Sequence, residues 1–217
     1  MPPTFSSPPT EQEQNRAMRR YYRLQSKIYD ATRWSFLFGR RSMIRDLPFS
    51  AQAPFRALEV GCGTGYNLVR IARHFPAASL TGLDVSADMI GRARCRTAPF
   101  GARIRLHGRP YTSGETGFAE KFDLILFSYA LTMINPQWAD LIEQAGHDLR
   151  PGGWIAVTDF HDSPLPWFKR HMAGHHVRMD GHLLPALEAR FQTESARVRP
   201  AYGGIWSYLS YLGRKLI

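Results

Sequence analysis

The sequence predicts an α/β fold in which a mostly parallel sheet carries helices on both faces. Strand-like and helix-like segments alternate from residue 55 to residue 159, as a parallel sheet with crossover helices requires. Two final strand-like segments are joined by only a few residues, so they should pair antiparallel. Hydrophobic residues make up 44% of the 217 residues, which excludes a chain disordered throughout.

The chain begins with polar and basic segments before this alternation starts. Residues 1–14 are rich in Pro, Ser and Gln, and we expect a disordered tail there. A helix is expected over residues 13–32, because Tyr21 and Tyr29 share an apolar face at helical spacing while Arg16 and Arg20 fall on the opposite face. We therefore divide the chain into the tail, a basic lid or membrane-contact segment over residues 15–50, and a folded domain over residues 51–217.

The folded domain is expected to contain seven strands. Apolar runs with β-branched residues predict strands over residues 56–60, 79–84, 103–107, 122–127, 154–159, 194–199 and 204–211. Helical periodicity predicts helices over residues 66–74, 86–96, 137–149 and 185–191. The run Arg150-Pro151-Gly152-Gly153 is expected to end the third of these helices.

The distribution of charge along the chain indicates an anionic partner, either a lipid surface or a nucleic acid. The net charge is +10, and residues 16–45 alone carry about +8, from nine basic residues and one acidic residue. Such a segment suits anionic lipids, and a nucleic-acid-binding protein is the alternative from another class.

Two cysteines do not suggest a disulfide framework, and no apolar run is long enough for a membrane span. A cytosolic location is the default expectation.

A glycine-rich loop follows the first predicted strand and opens a helix. Its glycines, Gly61, Gly63 and Gly65, have the spacing G-x-G-x-G. Gly61 allows a sharp turn, while Gly63 and Gly65 let the backbone approach a ligand closely. A dinucleotide fingerprint needs its third glycine one residue later, and a Walker loop needs Gly-Lys-Ser/Thr. The loop is therefore not expected to bind a pyrophosphate or triphosphate.

An acidic residue ends the second predicted strand. Asp84 lies 23 residues after Gly61, where a carboxylate can accept hydrogen bonds from both ribose hydroxyls of a nucleoside. The alternative is that Asp84 caps the next helix, a role that Ser86 can also fill. Met89 and Ile90 open that helix and are candidates to cover an adenine face.

These motifs resemble those of class I S-adenosylmethionine-dependent methyltransferases. The resemblance rests on residues 59–65, on Gly82-Leu83-Asp84-Val85-Ser86 and on residues 149–153. It implies a Rossmann-like, seven-stranded sheet with an antiparallel last strand, and S-adenosylmethionine as cofactor. It implies that Glu59 and the glycine loop lie beside the methionine part of the cofactor and that Asp84 holds the ribose. The full set of candidate cofactor-binding residues is Tyr21, Tyr29, Glu59, Gly61, Cys62, Gly63, Gly65, Asn67, Asp84, Val85, Met89, Arg109 and Ser128.

One position departs from that family. Many relatives have an acidic residue after the third strand that contacts the adenine amino group, whereas this chain has Gly108-Arg109-Pro110. We therefore expect backbone groups and apolar packing to hold the adenine.

The residues after the fourth predicted strand indicate the kind of methyl acceptor. This chain has Ser128-Tyr129-Ala130 there, which differs from the Asn/Asp-Pro-Pro-aromatic motif of nucleobase N-methylases. Ser128 and Tyr129 are candidate catalytic residues that would orient an amine, and the ring of Tyr129 would stabilise a cation. The alternative for Tyr129 is core packing. His161, after the fifth strand, is a third candidate, either as a base or as a partner for a carboxylate.

A second resemblance indicates which molecule accepts the methyl group. Residues 22–33, 36–40, 127–134 and 159–168 resemble bacterial betaine-lipid N-methyltransferases. That family implies three methylations of the amine of diacylglyceryl-homoserine, and a partner 3-amino-3-carboxypropyl transferase that makes this lipid. It implies a peripheral location at the inner face of the membrane. Arg33, Trp34 and Met133 are the candidate substrate or membrane contacts.

Other interpretations remain open. The acceptor could instead be phosphatidylethanolamine, another small amine or a quinone. Tyr21 and Tyr29 either face the core of their helix or close over the cofactor as a lid. His171, His175, His176 and His182 lack supporting acids or cysteines at ligand spacing, so no metal is expected.

Overall fold

The structure is a computed structural model that describes residues 36–114 and 117–216. The predicted tail, the helix over residues 13–32 and the candidates Tyr21, Tyr29, Arg33 and Trp34 lie outside the described residues. The strands are β1 (Arg56–Val60), β2 (Ser79–Leu83), β3 (Ile104–His107), β4 (Phe122–Ser128), β5 (Leu149–Asp162), β6 (Gln192–Ala201) and β7 (Trp206–Arg214). The helices are α1 (Arg40–Arg45), α2 (Tyr66–His74), α3 (Ala87–Thr97), α4 (Trp138–Asp148), α5 (Pro166–Ala173) and α6 (Leu183–Arg190).

The seven strands form one sheet in the order β3-β2-β1-β4-β5-β7-β6. The strands from β1 to β5 pair in parallel, and β7 runs antiparallel to both β5 and β6. The predicted Rossmann-like fold with a reversed last strand is therefore confirmed. The strand order reverses between β1 and β4, and a crevice opens at the carboxyl ends of parallel strands at such a point. That edge of the sheet carries the candidate site.

The fifth strand begins earlier than the sequence predicts. Leu149 already pairs with Phe122, and the register then shifts so that Trp154 pairs with Leu124. Gly152 has a φ of +71°, which glycine adopts without strain. The Pro-Gly-Gly run is therefore an irregularity inside the strand, because the chain bulges there and does not leave the sheet.

Two helices were missed by the sequence analysis. The first, α1, buries Met43 and Ile44 against Phe55, so the end of the basic segment packs on the core of the domain. The second, α5, begins at Pro166, which favours the first turn of a helix. Both are short, and six to eight residues give too little periodicity for detection.

The core consists of side chains buried on both faces of the sheet. In β1 the last four residues are all buried, as expected for a central parallel strand. A third cluster lies at the carboxyl edge and includes Met89, Tyr129, Phe160 and Trp206. Within residues 36–114 and 117–216, no helix combines the length and the apolar character needed to cross a bilayer.

Candidate active site

The glycine loop presents one open stretch of backbone. Gly61, Gly63 and Gly65 all have positive φ angles, of +69°, +53° and +76°. A Cβ atom on Gly63 would have no heavy atom within 4 Å, whereas one on Gly65 would lie 3.2 Å from Thr97 and 3.3 Å from Ala93. Gly63 therefore leaves space for a ligand. Gly65 also allows α2 to pack closely against α3, and its contact with the cofactor stays a prediction.

The carboxylate of Asp84 lies beside that open stretch. Its Oδ2 accepts a hydrogen bond from the Gly63 amide at 2.8 Å, and its Oδ1 accepts one from the Ser86 amide at 2.9 Å. The hydroxyl of Ser86 caps α3 by accepting from the Met89 amide. The capping alternative therefore belongs to Ser86, and Asp84 holds the carboxyl ends of β1 and β2 together where a ribose is expected.

Glu59 is a buried carboxyl group at the end of β1. Its Oε1 accepts a hydrogen bond from Asn67 Nδ2 at 2.7 Å, and Asn67 Oδ1 accepts one from Arg40 Nε at 3.3 Å. Its Oε2 has no hydrogen-bond partner in the described part of the chain. Burial raises the pKa of Glu59 to about 8, so the carboxyl is protonated at pH 7. An unpartnered buried oxygen at the end of β1 leaves one polar atom available to a ligand at this strand end.

Apolar residues line the side of the site where an adenine is expected. Met89 is fully buried and Val85 is half-buried. A Cβ atom on Gly108 would lie 4.0 Å from Ile90, so the chain passes close to α3 there. Arg109 is exposed, and its guanidinium lies 4.8 Å from the centroid of the Phe118 ring. The part of Arg109 in cofactor binding stays a prediction.

Cys62 is also a packing residue of this loop. Its side chain is buried in the apolar core that includes Leu68 and Leu80, and a Cβ atom on Gly82 would lie 2.9 Å from its sulfur. Burial raises the pKa of the Cys62 thiol well above its usual range. The residue is therefore a neutral side chain at pH 7, and its contact with the cofactor stays a prediction.

The end of β4 carries the candidates Ser128 and Tyr129. Its hydroxyl donates to the backbone oxygen of Phe38 at 2.9 Å, and its ring packs edge-on against Phe160 with 4.8 Å between centroids. The hydroxyl hydrogen is therefore used, and only the oxygen lone pairs are left to accept a hydrogen bond from an amine, so the orienting role of Tyr129 stays a prediction. A contact between the Tyr129 ring and a methylated cation stays a prediction. Ser128 fits the earlier expectation better, since its Oγ is buried and unpartnered among residues 36–114 and 117–216.

A buried aspartate holds the loop that follows, and the sequence analysis missed it. Asp159 accepts hydrogen bonds from the Ala130 amide at 3.0 Å and from Thr132 Oγ1 at 2.5 Å. Burial raises its pKa to about 6. A Cβ atom on Gly61 would lie 3.0 Å from Ala130, so this loop borders the glycine loop. The sequence does contain a signal for Asp159, because an acidic residue at the end of an apolar strand is buried and then needs hydrogen-bond partners.

His161 follows at the end of β5, where the sequence placed it. The ring is half-buried, and its Nδ1 has no partner in the described ranges. Burial lowers the pKa of His161 below its usual value, so the ring is neutral at pH 7. A neutral imidazole can accept a proton or donate a hydrogen bond, so its catalytic role stays a prediction.

The remaining candidates are Met133 and the histidines that were considered for a metal site. Met133 is 1% exposed and packs with Met89 and Phe160, so the expected membrane contact is wrong, while a substrate contact stays a prediction. The rings of His171 and His175 lie 4.9 Å apart, whereas His182 pairs with Asp180. Within the described ranges, no group of three or more His, Cys, Asp or Glu side chains could hold a metal ion.

Comparison with known proteins agrees with this arrangement. Residues 57–153 match a family described as "Methyltransferase domain". The chain is 29% identical over 161 residues to trans-aconitate 2-methyltransferase of Deinococcus radiodurans, covering 73% of this chain and 54% of that protein. It is 30% identical over 129 residues to fatty-acid O-methyltransferase of Mycolicibacterium smegmatis, covering 57% of this chain and 44% of that protein. The chain thus spans about half the length of the curated relatives that it matches.

A solved structure extends the likeness over the whole fold. The 1,6-didemethyltoxoflavin-N1-methyltransferase of Burkholderia thailandensis, solved with its substrate and S-adenosylhomocysteine, superposes with a TM-score of 0.70. The match covers 99% of this chain and 94% of that one at 18% identity. Residues 57–153 therefore match a methyltransferase domain within a Rossmann-like methyltransferase fold, with the residues at the ends of β1 and β2 placed where S-adenosylmethionine is expected.

Proposed function

We propose that this protein methylates the primary amine of diacylglyceryl-homoserine three times and so forms the betaine lipid diacylglyceryl-trimethylhomoserine. The proposal includes a peripheral location at the inner face of the membrane. It also includes a 3-amino-3-carboxypropyl transferase as the partner that supplies the lipid. The observation that carries the proposal is an exposed apolar surface beside the cofactor-binding edge.

That surface is formed by large side chains at the carboxyl edge of the sheet. They are Phe36, Phe38, Trp167, Tyr202 and Ile205, each between 37% and 61% exposed. The ring of Phe38 lies 5.4 Å from that of Tyr202, and Ser163 Oγ donates to the Ile205 carbonyl, which joins the start of α5 to the same edge. Apolar groups concentrated beside an active site favour an acceptor that carries acyl chains.

Basic side chains near this surface suit an anionic bilayer. Arg41 on α1 and Arg170 on α5 are both exposed. A basic residue near an anionic membrane contributes about 1 kcal/mol to binding. Residues 16–45 carry a net charge of about +8, and the described end of this segment contacts this edge through Phe38.

The residues of the site can prepare an amine for methyl transfer. S-adenosylmethionine supplies an electrophilic methyl group on a sulfonium when it is bound. The lone pair of the acceptor forms a C–N bond as the C–S bond breaks. After the first and second transfers the nitrogen then loses a proton, whereas the third transfer leaves a quaternary ammonium that has no proton to lose. An alkylamine of pKa near 10 must first be deprotonated, which costs roughly 4 kcal/mol at pH 7 unless the site lowers that pKa.

Burial at this edge lowers that cost. A site that excludes water disfavours the ammonium form, so desolvation works in the required direction. The aromatic cluster of Phe38, Tyr129, Phe160 and Trp206 provides the water-excluding wall. His161, neutral at pH 7, is the proton acceptor that we assign to the end of β5. Asp84, Gly63 and Glu59 hold the cofactor.

A second candidate is methylation of a carboxylate oxygen. The specific observation in its favour is that the relatives from D. radiodurans and M. smegmatis are named for trans-aconitate and fatty acids, which are carboxylic acids. A carboxylate needs no deprotonation at pH 7, so that reaction would leave His161 without a task.

The experiment that tests the proposal is lipid analysis of a host that expresses this chain with and without a homoserine-lipid synthase. We expect mono-, di- and trimethylated homoserine lipid by mass spectrometry only when both proteins are present. The matched control is Asp84→Asn, a side chain of the same size that removes one of the two acceptors for the Gly63 and Ser86 amides and should weaken cofactor binding. Methylated phosphatidylethanolamine, or methyl esters of fatty acids, would contradict the proposal and identify the alternative acceptor.

A further inference from the structure

Three buried polar atoms without hydrogen-bond partners in the described part of the chain belong to residues that contact the segment between α5 and α6 or lie in it. They are Asn135 Oδ1, His161 Nδ1 and His182 Nε2. A fourth such atom, Gln137 Oε1, lies two residues after Asn135. A buried polar atom left without a partner costs about 1–3 kcal/mol, so a ligand or water that completes these hydrogen bonds is expected there.

The atoms are connected through the backbone of residues 176–182. Asn135 Nδ2 donates to the His176 carbonyl at 3.4 Å, and the ring of His182 lies 4.5 Å from that of Trp138. A Cβ atom on Gly181 would lie 3.3 Å from the ring of His161. The loop that includes Asn135 and Trp138 thus faces the end of β5 across this segment.

Asp180 determines which nitrogen of His182 carries the hydrogen. His182 Nδ1 is paired with Asp180 Oδ1, and Arg178 Nε donates to the other carboxylate oxygen at 2.7 Å. A carboxylate only accepts hydrogen bonds, so Nδ1 is the protonated nitrogen and Nε2 carries a lone pair. The His182 side chain is 7% exposed, and burial lowers its pKa, so the ring is neutral at pH 7.

Asn135 presents the same kind of atom. Its Nδ2 donates to the Thr132 carbonyl at 2.7 Å as well as to the His176 carbonyl, which fixes the orientation of the amide. Its Oδ1 is therefore an acceptor, like His182 Nε2 and Gln137 Oε1. A group of acceptors beside an aromatic ring is complementary to N–H or O–H donors. A carboxylate or phosphate would add further lone pairs and is disfavoured.

This group of acceptors adjoins the active site described above. The Arg178 amide donates to the Thr132 carbonyl at 2.9 Å, and Thr132 belongs to the loop that Asp159 anchors beside Gly61. The Gly181 amide donates to the His161 carbonyl at 2.9 Å, at the carboxyl end of β5. A ligand held here lies at the same edge of the sheet as the cofactor.

We propose that His182, Asn135 and Gln137 form a subsite for a hydrogen-bond-donating group of the methyl acceptor, with Asp180 as the residue that positions His182. This inference rests on the proposed function, under which the donor is the amine of the homoserine head group. The N–H groups in question are those of the ammonium as it binds, before His161 takes a proton from it. Each methylation replaces one of them, and the trimethylated product has none left to donate. The subsite retains the partly methylated lipids and releases the finished product.

The test uses the full-length protein with S-adenosylhomocysteine bound and nitrogen-15 labels in the histidine rings. The probe is O-methyl-L-homoserine, and its matched partner is the N,N,N-trimethyl form, which has no N–H. We expect the free protein to show His182 protonated at Nδ1, and the amine probe to move the Nε2 resonance. The trimethyl probe and the variant His182→Phe should each weaken binding by about tenfold or more.

The control is His147→Phe, the same substitution at an exposed histidine of α4, which should bind the amine probe normally. Asp180→Asn keeps the ring in place and should change the tautomer of His182, so the test survives if His182→Phe does not fold. An equal shift with glycerol would overturn the amine assignment and identify a hydroxyl donor. Equal affinity for the trimethyl probe would overturn the subsite. The subsite would also be overturned if neither the amine probe nor glycerol moves the Nε2 resonance of His182 while S-adenosylhomocysteine still binds, since water alone then fills the site.

The proposed function and this inference can fail separately. A host that makes no methylated homoserine lipid, combined with a His182 shift on adding the amine probe, would overturn the lipid and leave the subsite in place. A host that makes methylated homoserine lipid, combined with a His182 resonance that does not move, would overturn the subsite and leave the proposed function in place.

Discussion

The hydroxyl of Tyr129 donates to the backbone oxygen of Phe38 at 2.9 Å, and this bond ties the end of β4 to the segment that enters α1. Thr158 Oγ1 donates to the same oxygen at 3.3 Å. A Cβ atom on Gly39 would lie 2.7 Å from Tyr208 and 2.8 Å from Thr158, so the next residue must be glycine for the chain to approach this closely. The basic segment is therefore joined to the reacting edge of the sheet by its backbone.

Tyr129→Phe tests whether that hydroxyl is structural. The variant loses one hydrogen bond, so the free energy of unfolding measured in urea should fall by about 1 kcal/mol. Turnover should fall by less than about tenfold, since the reaction does not use the hydroxyl. Thr158→Val, which removes the other donor to Phe38, should behave similarly. A loss of turnover of about 100-fold with unchanged stability would instead support Tyr129 as a catalytic residue.

Gly63→Val should abolish cofactor binding and leave the protein folded. The side chain would occupy the open space in front of the loop, where no protein atom lies within 4 Å. The matched control is Gly203→Val, because Gly203 also has a positive φ, of +67° against +53°, and is also open. Gly203 is in the left-handed region with a ψ of +18°, where a Val side chain adds backbone strain of roughly 1–2 kcal/mol. Calorimetry with S-adenosylhomocysteine should separate them, and equal affinities would show that the loop does not face the cofactor.

The pKa of Glu59 gives a prediction about pH. The folded protein holds this carboxyl with a pKa near 8, raised from 4.5 by burial, so it binds a proton more tightly than the unfolded chain does. Its contribution to stability is complete below pH 4.5 and is lost as the pH rises to about 8. Between pH 7 and 8.5 the free energy of unfolding of the wild type should fall by roughly 1 kcal/mol more than that of Glu59→Gln.

That pH window avoids the other perturbed groups. The pKa of Asp159 is raised to about 6, so its contribution is lost below pH 7. The pKa values of His161 and His182 are lowered from 6.5, so their effect is complete before the window begins. The Cys62 thiol titrates above it. Parallel stability curves for the wild type and Glu59→Gln would show that Glu59 is ionised in the folded protein at neutral pH.

Local patterns were sufficient to predict the parallel sheet and the cofactor loop. The apolar strands before Gly61 and Asp84 carry their signal in consecutive residues, and the structure places both residues at neighbouring strand ends. The contacts of Tyr129 with Phe38 and of His182 with Asp180 depend on how distant or irregular segments come together. Periodicity holds no information about such packing, so the sequence did not predict the bond between Tyr129 and Phe38 and missed Asp180 and Asp159.

The last prediction concerns the apolar surface at the carboxyl edge. If it contacts the bilayer, replacing an exposed apolar side chain there should weaken binding to anionic liposomes in proportion to the area lost. Trp167 is 61% exposed and Ile205 is 38% exposed, so Ile205→Ser should reduce binding by roughly tenfold and Trp167→Ser by more than that, at about 25 cal/mol per Å². Salt should weaken wild-type binding as well, because the basic residues beside the surface are screened.

Leu216→Ser is the matched control for these two variants. Leu216 is 65% exposed, but it follows β7 at the opposite edge of the sheet, where the Lys215 amide donates to the Gly153 carbonyl. A general loss of surface hydrophobicity would affect all three variants alike, whereas an oriented membrane contact affects only those at the carboxyl edge. Turnover of a soluble amine acceptor should remain close to that of the wild type in all three, since none of these side chains holds the cofactor. Liposome sedimentation in which Leu216→Ser loses as much binding as Trp167→Ser would show that the carboxyl edge does not face the bilayer, and the lipid acceptor would then lose its structural support.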